Sequence, residues 1–277
     1  MVRDSIILTV SDREPELLLN TIRWLRLSNL DDTEIIIVDD GSRIDYAFMG
    51  QILDQCNARM VRMDPYEAYR LDETFNNPAK AFNRGLQEAV GERLIILSSD
   101  VLVPPNVMER CRRYDVNDVI YCPMVIDLAT AAEYCGPRRV FPMPWFLACS
   151  REHAVKAGGW DENYLQGMCW EDNDFVGRLA LTTGKILFDF SSIVWHQSHH
   201  QPAYLNEPDT LAANRRNKDY TFDKWMSIPF GDTDRIAFEA FRKIHETGNV
   251  LFEYKDFRDI LPKAIAATNS PFVKVPV

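Results

Sequence analysis

Acidic side chains follow directly after apolar runs at two places in the first hundred residues. The sequence VDDGS occupies residues 38–42, and SSD occupies residues 98–100. A carboxylate is costly to place beside a hydrophobic core unless something binds it, so both places are candidate ligand sites. Asp39 and Asp40 could accept hydrogen bonds from a base or ribose, while Asp100 is placed to hold a divalent cation that bridges diphosphate oxygens. An ordinary turn followed by a helix cap is the alternative interpretation of residues 38–42.

A phosphate ligand usually requires a glycine-rich loop, and the sequence contains neither GxxxxGK[ST] nor a strand-linked GxGxxG. P-loop and Rossmann dinucleotide sites are therefore excluded. The chain carries 31 Lys and Arg residues against 41 Asp and Glu residues, a formal net charge of −10. This charge disfavours non-specific binding to nucleic acid or to an anionic membrane. A phosphate group would need local positive charge, which a metal ion held by an acid such as Asp100, with an imidazole, would supply.

A third acidic cluster, Glu171, Asp172 and Asp174, follows the apolar segment MCW of residues 168–170. The helix dipole favours acidic residues in a first turn by a few tenths to about 1 kcal/mol, which is a sufficient reason for Asp174. It does not explain two adjacent acids directly after an apolar run, where partial desolvation would perturb a carboxylate. We therefore predict a functional role for Asp172.

The elements that must position these residues alternate between strands and helices through the first hundred residues. Apolar β-rich runs occupy residues 5–11, 34–40, 58–63 and 93–99, and helical patterns occupy residues 14–28 and 78–90. This alternation predicts βαβ units and a parallel sheet covered by helices on both faces. Ligands bind such sheets where the carboxyl ends of strands meet a switch in strand order. Residues 9–12, 39–42 and 98–100 should then share one edge of the sheet.

Beyond residue 104 the pattern predicts a mixed extension of the sheet. Strands are predicted at residues 119–126, 139–150 and 185–190, and a helix at residues 171–184 that ends at Gly184. Residues 207–277 are polar and are predicted to form helices packed on the core or on a partner. A chain of 277 residues fits one large α/β domain with an appendage.

The six cysteines contain no CxxC pair and lie mostly within apolar runs. This pattern favours buried, reduced thiols over a zinc module or a disulfide framework. The amino-terminal residues have neither a signal-peptide cleavage pattern nor an apolar run long enough to span a bilayer. We expect a cytoplasmic protein with no membrane span.

The order of the segments resembles that of the GT-A fold glycosyltransferases, in particular family 2 and its relatives. The similar segments are TVS (9–11), VDDGS (38–42), PAKAFNRGLQEA (78–89), LIILSSDVLVPPNVME (94–109), GGWDENYLQGMCWEDNDFVGRL (158–179) and WHQSHH (195–200). The segment at 158–179 is the most specific match, because it resembles the acceptor and base segment "GG-aromatic-DE … ED". RNKDYTFDKW (216–225) also resembles a tail found after the catalytic domain in that family.

This resemblance implies an α/β fold with a mixed, mostly parallel central sheet flanked by helices and a helical C-terminal tail. We predict a catalytic domain at residues 1–205, with a nucleotide-binding half (1–103) and an acceptor-binding half (104–205). Residues 206–277 are predicted to form a helical extension, through which the chain could form a homo-oligomer.

The resemblance also implies which residues contact the donor and the metal. Donor contacts are implied at Thr9, Asp39, Asp40, Asn83, Ser98 and Asp100, with Lys80 or Arg84 near the phosphates. Asp100 matches the last acid of the family's Asp-x-Asp motif, and His196 matches a histidine that completes the metal site. The two residues would hold Mn²⁺ or Mg²⁺, with His199 and His200 as competing ligands.

The implied reaction is transfer of a sugar from a nucleotide-diphosphate sugar to a hydroxyl acceptor, expected to be a glycan, with inversion. Asp172 matches the catalytic base, and Glu171 would bind hydroxyls of the acceptor or donor. Trp160 and Trp170 would either stack on a sugar ring or fill the core. The donor sugar, its base and the acceptor stay open.

One departure from the family pattern is Ser98, which occupies the first position of Asp-x-Asp. It leaves open a second class of function, a degenerate relative that binds a glycan or nucleotide without turnover. A nucleotidyltransferase is a third alternative, but it would favour a basic glycine-rich loop after the first strand, and TVSDREPE (9–16) is not one.

Overall fold

The computed structural model describes residues 3–11, 14–42, 46, 50–54, 56–64, 70–71, 75–140, 143–198, 208–226, 240–244, 249–254 and 261–273. The helices in these ranges are α1 (Pro15–Leu25), α2 (Gly50–Asp54), α3 (Ala79–Glu88), α4 (Pro105–Cys111), α5 (Arg151–Lys156), α6 (Glu171–Thr183), α7 (Pro208–Met226) and α8 (Leu261–Ala266). A 3-10 helix spans Glu162–Gln166. None of the described helices is long and apolar enough to cross a membrane.

The strands in the described ranges are β1 (Asp4–Val10), β2 (Thr33–Asp39), β3 (Ala58–Arg62), β4 (Arg70–Leu71), β5 (Phe75–Asn76), β6 (Arg93–Ser98), β7 (Val101–Leu102), β8 (Ile120–Asp127), β9 (Glu133–Cys135), β10 (Phe146–Ser150), β11 (Lys185–His196), β12 (Ala240–Ile244) and β13 (Val250–Tyr254). Apart from β4 and β5, which pair with each other, these strands belong to one sheet. The predicted mixed α/β fold is confirmed.

The core lies around the first strands of the sheet. Strand β2 is buried along its whole length, and so are the apolar residues of β1 and β6. Continuous runs such as Ile35–Val38 form strands with both faces covered, because β-branched side chains pack well on a pleated surface. Each such side chain stabilises the fold by about 1.5–3 kcal/mol relative to an exposed position.

The strand order is β12-β13-β11-β8-β10-β6-β1-β2-β3 among the described residues. Strands β3, β2, β1 and β6 are mutually parallel, and β10 is antiparallel to β6. The chain moves outward from β1 to β2 and β3 and then returns to β6 on the other side of β1. The switch in strand order is therefore at β1 and β6, where Thr9 is the register partner of Ser98.

Strand β11 brings its last residue to the same edge. It runs parallel to β8, with a register shift between Asp189 and Ile193, and its end pairs with the two-residue strand β7. In that pairing His196 lies opposite Val101, which follows Asp100 directly. Strand β11, which follows β6 by about ninety residues in the sequence, therefore places the His196 imidazole beside Asp100.

The C-terminal segment is not purely helical, which corrects the prediction for residues 206–277. Strands β12 and β13 form a hairpin-like pair, and β13 continues the main sheet by pairing antiparallel with β11. The apolar start of β13, where Val250 and Leu251 are buried, covers the edge that β11 would otherwise expose. The division of the chain at residue 205 stays a prediction. The predicted strand at 139–150 is also shorter, since β10 begins only at Phe146.

Candidate active site

A cleft of about 230 Å³ opens at the carboxyl ends of β1 and β6. It is lined by Thr9, Val10, Ser11, Asp40, Pro78, Phe82, Ser98, Ser99, Met143, Pro144, Trp145, Glu171 and Asp172. Polar residues predicted from four separate segments of the sequence therefore line one cavity. Its position at the switch in strand order is where open α/β sheets bind ligands.

The adjacent acids at the end of β2 have different environments. Asp39 is 1% exposed, accepts a 2.9 Å hydrogen bond from the backbone of Ser42, and lies 3.6 Å from Arg62. This is the turn that the alternative interpretation of VDDGS described. Asp40 lines the cleft. Of the two, Asp40 is thus the better placed to contact a ligand.

Asp100 contacts the cleft residue Ser98 and lies near His196. The Ser98 hydroxyl donates a 2.6 Å hydrogen bond to Asp100 Oδ1. The other oxygen, Oδ2, lies 3.7 Å from His196 Nε2. Asp100 is 2% exposed and His196 9%, so both side chains are largely withdrawn from solvent.

The far side of the His196 ring contacts a carboxylate that the sequence prediction missed. His196 Nδ1 lies 3.2 Å from Asp127 Oδ2, and because a carboxylate only accepts, the proton belongs on Nδ1. Desolvation alone would raise the pKa of Asp127, but hydrogen bonds from Ser198 and Thr130 hold it well below its usual range. The ring is thereby oriented with its Nε2 lone pair toward Asp100.

This donor set fits a divalent cation. Two ligands at about 2.1 Å from one ion can be 3.7 Å apart, the distance between Asp100 Oδ2 and His196 Nε2. A ligating histidine that donates its other ring proton to a carboxylate is the usual supporting arrangement around metals. No cluster of three or more His, Cys, Asp or Glu side chains suited to a metal occurs in the described ranges. His199 and His200, the competing candidates, lie outside the described residues.

A strained turn precedes the acid pair at the start of α6. Cys169 and Trp170 have φ values of +59° and +74°, in the left-handed region that residues with a side chain rarely adopt. Such residues cost about 1–3 kcal/mol each and persist only when their surroundings hold them. The turn places Glu171 and Asp172 in the first turn of α6, at the cleft.

Desolvation raises the pKa values of both acids. Glu171 is 4% exposed and accepts a 2.8 Å hydrogen bond from Asn77 Nδ2. Burial first, and then the charge of Asp172, raises the pKa of Glu171. Burial also raises the pKa of Asp172, opposed by a 3.3 Å hydrogen bond from Trp160 Nε1. Two adjacent carboxyls in a cleft thus have an elevated affinity for protons, as a general base requires.

Asp174, the next acid of the same helix, is paired with cations. It accepts hydrogen bonds from Arg178 at 2.7 Å and from Trp225 at 3.0 Å, and lies 2.9 Å from Lys224 Nζ. Although desolvation would raise the pKa of Asp174, these two cations lower it. Environments that separate the pKa values of neighbouring acids indicate different roles. Asp172 is the candidate base, and Asp174 is structural.

Asn83 and Trp160 hold the loop before the 3-10 helix. The Asn83 amide donates to Trp160 O and Glu162 Oε1, each at 2.9 Å, and accepts from Trp160 N. The Trp160 ring is fully buried and stacks between Phe82 and Phe175. Trp160 therefore fills the core and donates to Asp172, while the predicted contact of Asn83 with a donor stays a prediction. Arg84 forms an exposed ion pair with Glu88.

The sequence prediction missed several residues of the site, among them Asp127, Asn77 and Trp145. Asp127 ends the apolar run of β8, the same signal that selected Asp39 and Asp100, and could have been found by it. Asn77 precedes α3 and has no distinguishing pattern. Trp145 lines the cleft and stacks on Tyr134 at 5.2 Å, but an aromatic residue in an apolar run reads equally well as core.

Comparison with known proteins agrees with this architecture. The family model described as "Glycosyl transferase family 2" matches residues 5–134, which run from β1 to β9 and include Asp40, Asp100 and Asp127. A search of curated protein sequences found no significant match. The acid pair and His196 lie beyond the matched residues.

Solved structures share the fold at low sequence identity. S. aureus TarS 1-349 in complex with UDP-GlcNAc is 12% identical, with a TM-score of 0.63. The match covers 79% of this chain and 66% of the TarS chain. GalNAc-T7 with UDP, GalNAc and Mn²⁺ is 16% identical, with a TM-score of 0.56. The match covers 85% of this chain and 54% of the GalNAc-T7 chain. The chain therefore spans less than two thirds of either protein. These matches show that the chain has the GT-A fold.

Proposed function

We propose that this chain is a glycosyltransferase that moves a sugar from a nucleotide-diphosphate sugar to a hydroxyl acceptor with inversion. The observation that carries the proposal is the single cleft shared by the strand ends of β1 and β6 and by the acid pair Glu171 and Asp172. The ligands of the two structural neighbours, UDP-GlcNAc in TarS and UDP, GalNAc and Mn²⁺ in GalNAc-T7, support the choice of donor class.

The donor nucleotide is assigned to the end of the cleft formed by Thr9 and Asp40. Both lie at the carboxyl ends of adjacent parallel strands, or directly after them. Asp40 supplies a carboxylate to the hydroxyls or the polar edge of a nucleoside, and Thr9 supplies its hydroxyl group. Ser98 lies between this end and the metal residues, since its hydroxyl contacts Asp100.

Asp100 and His196 would hold a divalent cation. When bound, such a cation supplies positive charge that stabilises the departing diphosphate, an effect of several kcal/mol. Asp127 contacts Nδ1 of His196 and thereby fixes the ring with Nε2 on the side of Asp100.

Asp172 acts as the general base. Its carboxylate takes the proton from the acceptor hydroxyl while that oxygen forms a bond to the anomeric carbon of the donor. The bond from that carbon to the diphosphate oxygen breaks, and the diphosphate leaves with the electron pair. One displacement from the opposite face inverts the configuration, and a positioned base contributes about 10²–10⁴ to the rate.

Glu171 binds sugar hydroxyls rather than removing the proton. Its raised pKa, about 8, keeps it protonated over most of the neutral range, so that it can donate a hydrogen bond and accept another. Asn77 holds one of its oxygens and thereby fixes the direction of the carboxyl group.

The test measures transfer and donor binding separately. Purified protein is screened with sugar nucleotides and Mn²⁺ by thermal shift, and each donor that binds is assayed for nucleoside diphosphate release with an acceptor pool. We expect Asp172→Asn to lower the rate about 10²-fold or more at unchanged donor affinity, because the base acts in the transition state. Asp118→Asn, an exposed acid paired with Lys185, is the control and should leave both unchanged. Donor binding with no release under any condition would instead identify a binding protein.

A further inference from the structure

Helix α7 buries a polar face against the catalytic segment. Its buried positions recur at helical spacing and include Thr210, Ala213, Asn217, Thr221 and Lys224, each at most 6% exposed. A helix packed on a core ordinarily buries an apolar stripe, and every buried polar group requires a partner. The partners of this face therefore indicate what the helix does.

Asn217, at the centre of this face, binds the turn that precedes the acid pair. Its Nδ2 atom donates to Cys169 O at 2.9 Å and to Tyr164 O at 3.0 Å. Its Oδ1 accepts from Arg216 Nη1. The fit is close, since a Cβ atom on Gly167 would lie 2.3 Å from Oδ1. Both amide protons are thus committed to carbonyls of the segment that ends in the left-handed turn.

Lys224, two turns farther along α7, anchors the helix to the body of the site. Its Nζ lies 2.8 Å from Asp161 Oδ2 and 2.9 Å from Asp174 Oδ1, and donates to Thr268 Oγ1. With Arg178 on Asp174, the cluster holds two positive and two negative charges. Breaking such a buried pair leaves an uncompensated charge, so α7 cannot shift along α6 easily. Asn217 is therefore held at a fixed place relative to the acids.

We propose that Asn217 is a positioning residue for the reaction, which holds the Cys169–Trp170 turn and through it sets the direction of Glu171 and Asp172. This inference rests on the proposed function. The amide touches the turn, and the turn continues directly into the first residues of α6. Because Cys169 and Trp170 occupy the left-handed region at a cost, loss of the amide allows the turn to relax.

Cys169 provides a readout of the turn that needs no activity. It is an exposed residue, whereas the other five cysteines are buried. Desolvation of its sulfur, followed by the charges of Glu171 and Asp172, raises its pKa to about 12. Only the thiolate reacts with iodoacetamide, so relaxation of the turn that hydrates the sulfur lowers its pKa and should speed alkylation.

The experiment compares Asn217→Ala with Thr221→Val. Thr221 is equally buried on the same face, but its hydroxyl binds Tyr164 and the Asn217 carbonyl instead of the turn. Both variants are measured at a temperature well below their melting transitions. The measurements are the rate of Cys169 alkylation by peptide mass, and kcat and KM for transfer.

We expect Asn217→Ala to increase the rate of Cys169 alkylation severalfold. It should also lower kcat about tenfold or more, because a small displacement of the base slows the chemical step, while the donor KM changes little. Thr221→Val should do neither. Asn217→Ala that matches Thr221→Val in both measurements overturns the proposal. If the parent transfers no sugar, the proposed function fails, and the alkylation rates alone decide whether Asn217 holds the turn. Asn217→Ser, which retains one donor, replaces the alanine variant if that variant does not fold.

Discussion

The Ser98 hydroxyl donates a 2.6 Å hydrogen bond to Oδ1 of Asp100. Ser98 occupies the position at which the related motif has an acid. Here it fixes one oxygen of Asp100, while the other lies 3.7 Å from His196. Ser98 therefore gives Asp100 a hydrogen-bond partner.

Substitution of Ser98 tests this relationship. Ser98→Ala removes the hydrogen bond that orients the Asp100 carboxylate, so Mn²⁺ affinity should fall about tenfold, as for other groups that support a ligand. Calorimetric titration with Mn²⁺ in the presence of nucleoside diphosphate measures it. Ser99→Ala, a change at a neighbouring cleft residue, is the matched control. Unchanged Mn²⁺ affinity in Ser98→Ala would mean that the hydrogen bond has no part in metal binding.

Asp127 should matter for the metal although it lies behind the histidine. Asp127→Asn keeps the size of the side chain but removes the charge that accepts from His196 Nδ1. We expect Mn²⁺ affinity to fall about 10–100-fold, against a complete loss in Asp100→Ala. Electron paramagnetic resonance of free Mn²⁺ reports both. If Asp127→Asn binds Mn²⁺ as tightly as the parent, Asp127 has no part in metal binding.

The two acids of VDDGS should separate in their effects. Asp40→Ala should weaken nucleoside diphosphate binding about tenfold, the loss of one hydrogen bond to a charged group. Asp39→Ala should instead lower the free energy of unfolding by about 0.5–2 kcal/mol, since it removes the partner of the Ser42 backbone. Calorimetry and urea denaturation of both variants make the comparison. The opposite assignment of effects would contradict the geometry of the turn.

The pH dependence of transfer should report the base. Burial raises the pKa of Asp172 to about 6, and the protonated acid cannot accept a proton. The rate should therefore rise with pH through this value and level off above it. A rate profile from pH 5 to pH 8, with folding checked by circular dichroism, measures the acid limb. A flat profile across this range would indicate another base.

Ionisation of Glu171 should lower the free energy of unfolding. Its pKa is raised in the folded state, so between about pH 4.5 and about pH 8 the folded protein holds more protons than the unfolded chain. Stability then falls as the pH rises through this window, by about 1.4 kcal/mol for each unit of pKa shift. Glu171→Gln keeps the acceptor for Asn77 without the charge. It should be more stable than the parent at pH 8 and similar at pH 4.5 in urea denaturation. Lower stability at pH 8 would contradict the sign.

The sequence by itself determined the first half of the fold. Apolar runs such as residues 34–40, rich in β-branched side chains, are typical of a parallel strand covered on both faces, and β2 spans Thr33–Asp39. The helix stop at Gly184 is confirmed, with φ of +71°, because glycine adopts the left-handed region without penalty. Acids after such strands must gather at one edge, so Asp40 and Asp100 followed from the pattern.

Only the tertiary structure decided which polar residues share an environment. His196 meets Asp127 across a sequence separation of 69 residues, and Asn217 meets Cys169 across 48. The polar C-terminal segment was predicted to be helical, yet β13 pairs with β11. Its backbone groups thereby hydrogen-bond the edge of β11. Local patterns determine which face of an element is buried. Local patterns do not determine which element packs beside it. That depends on hydrogen bonds and charge pairs between distant segments, which form only in the folded chain.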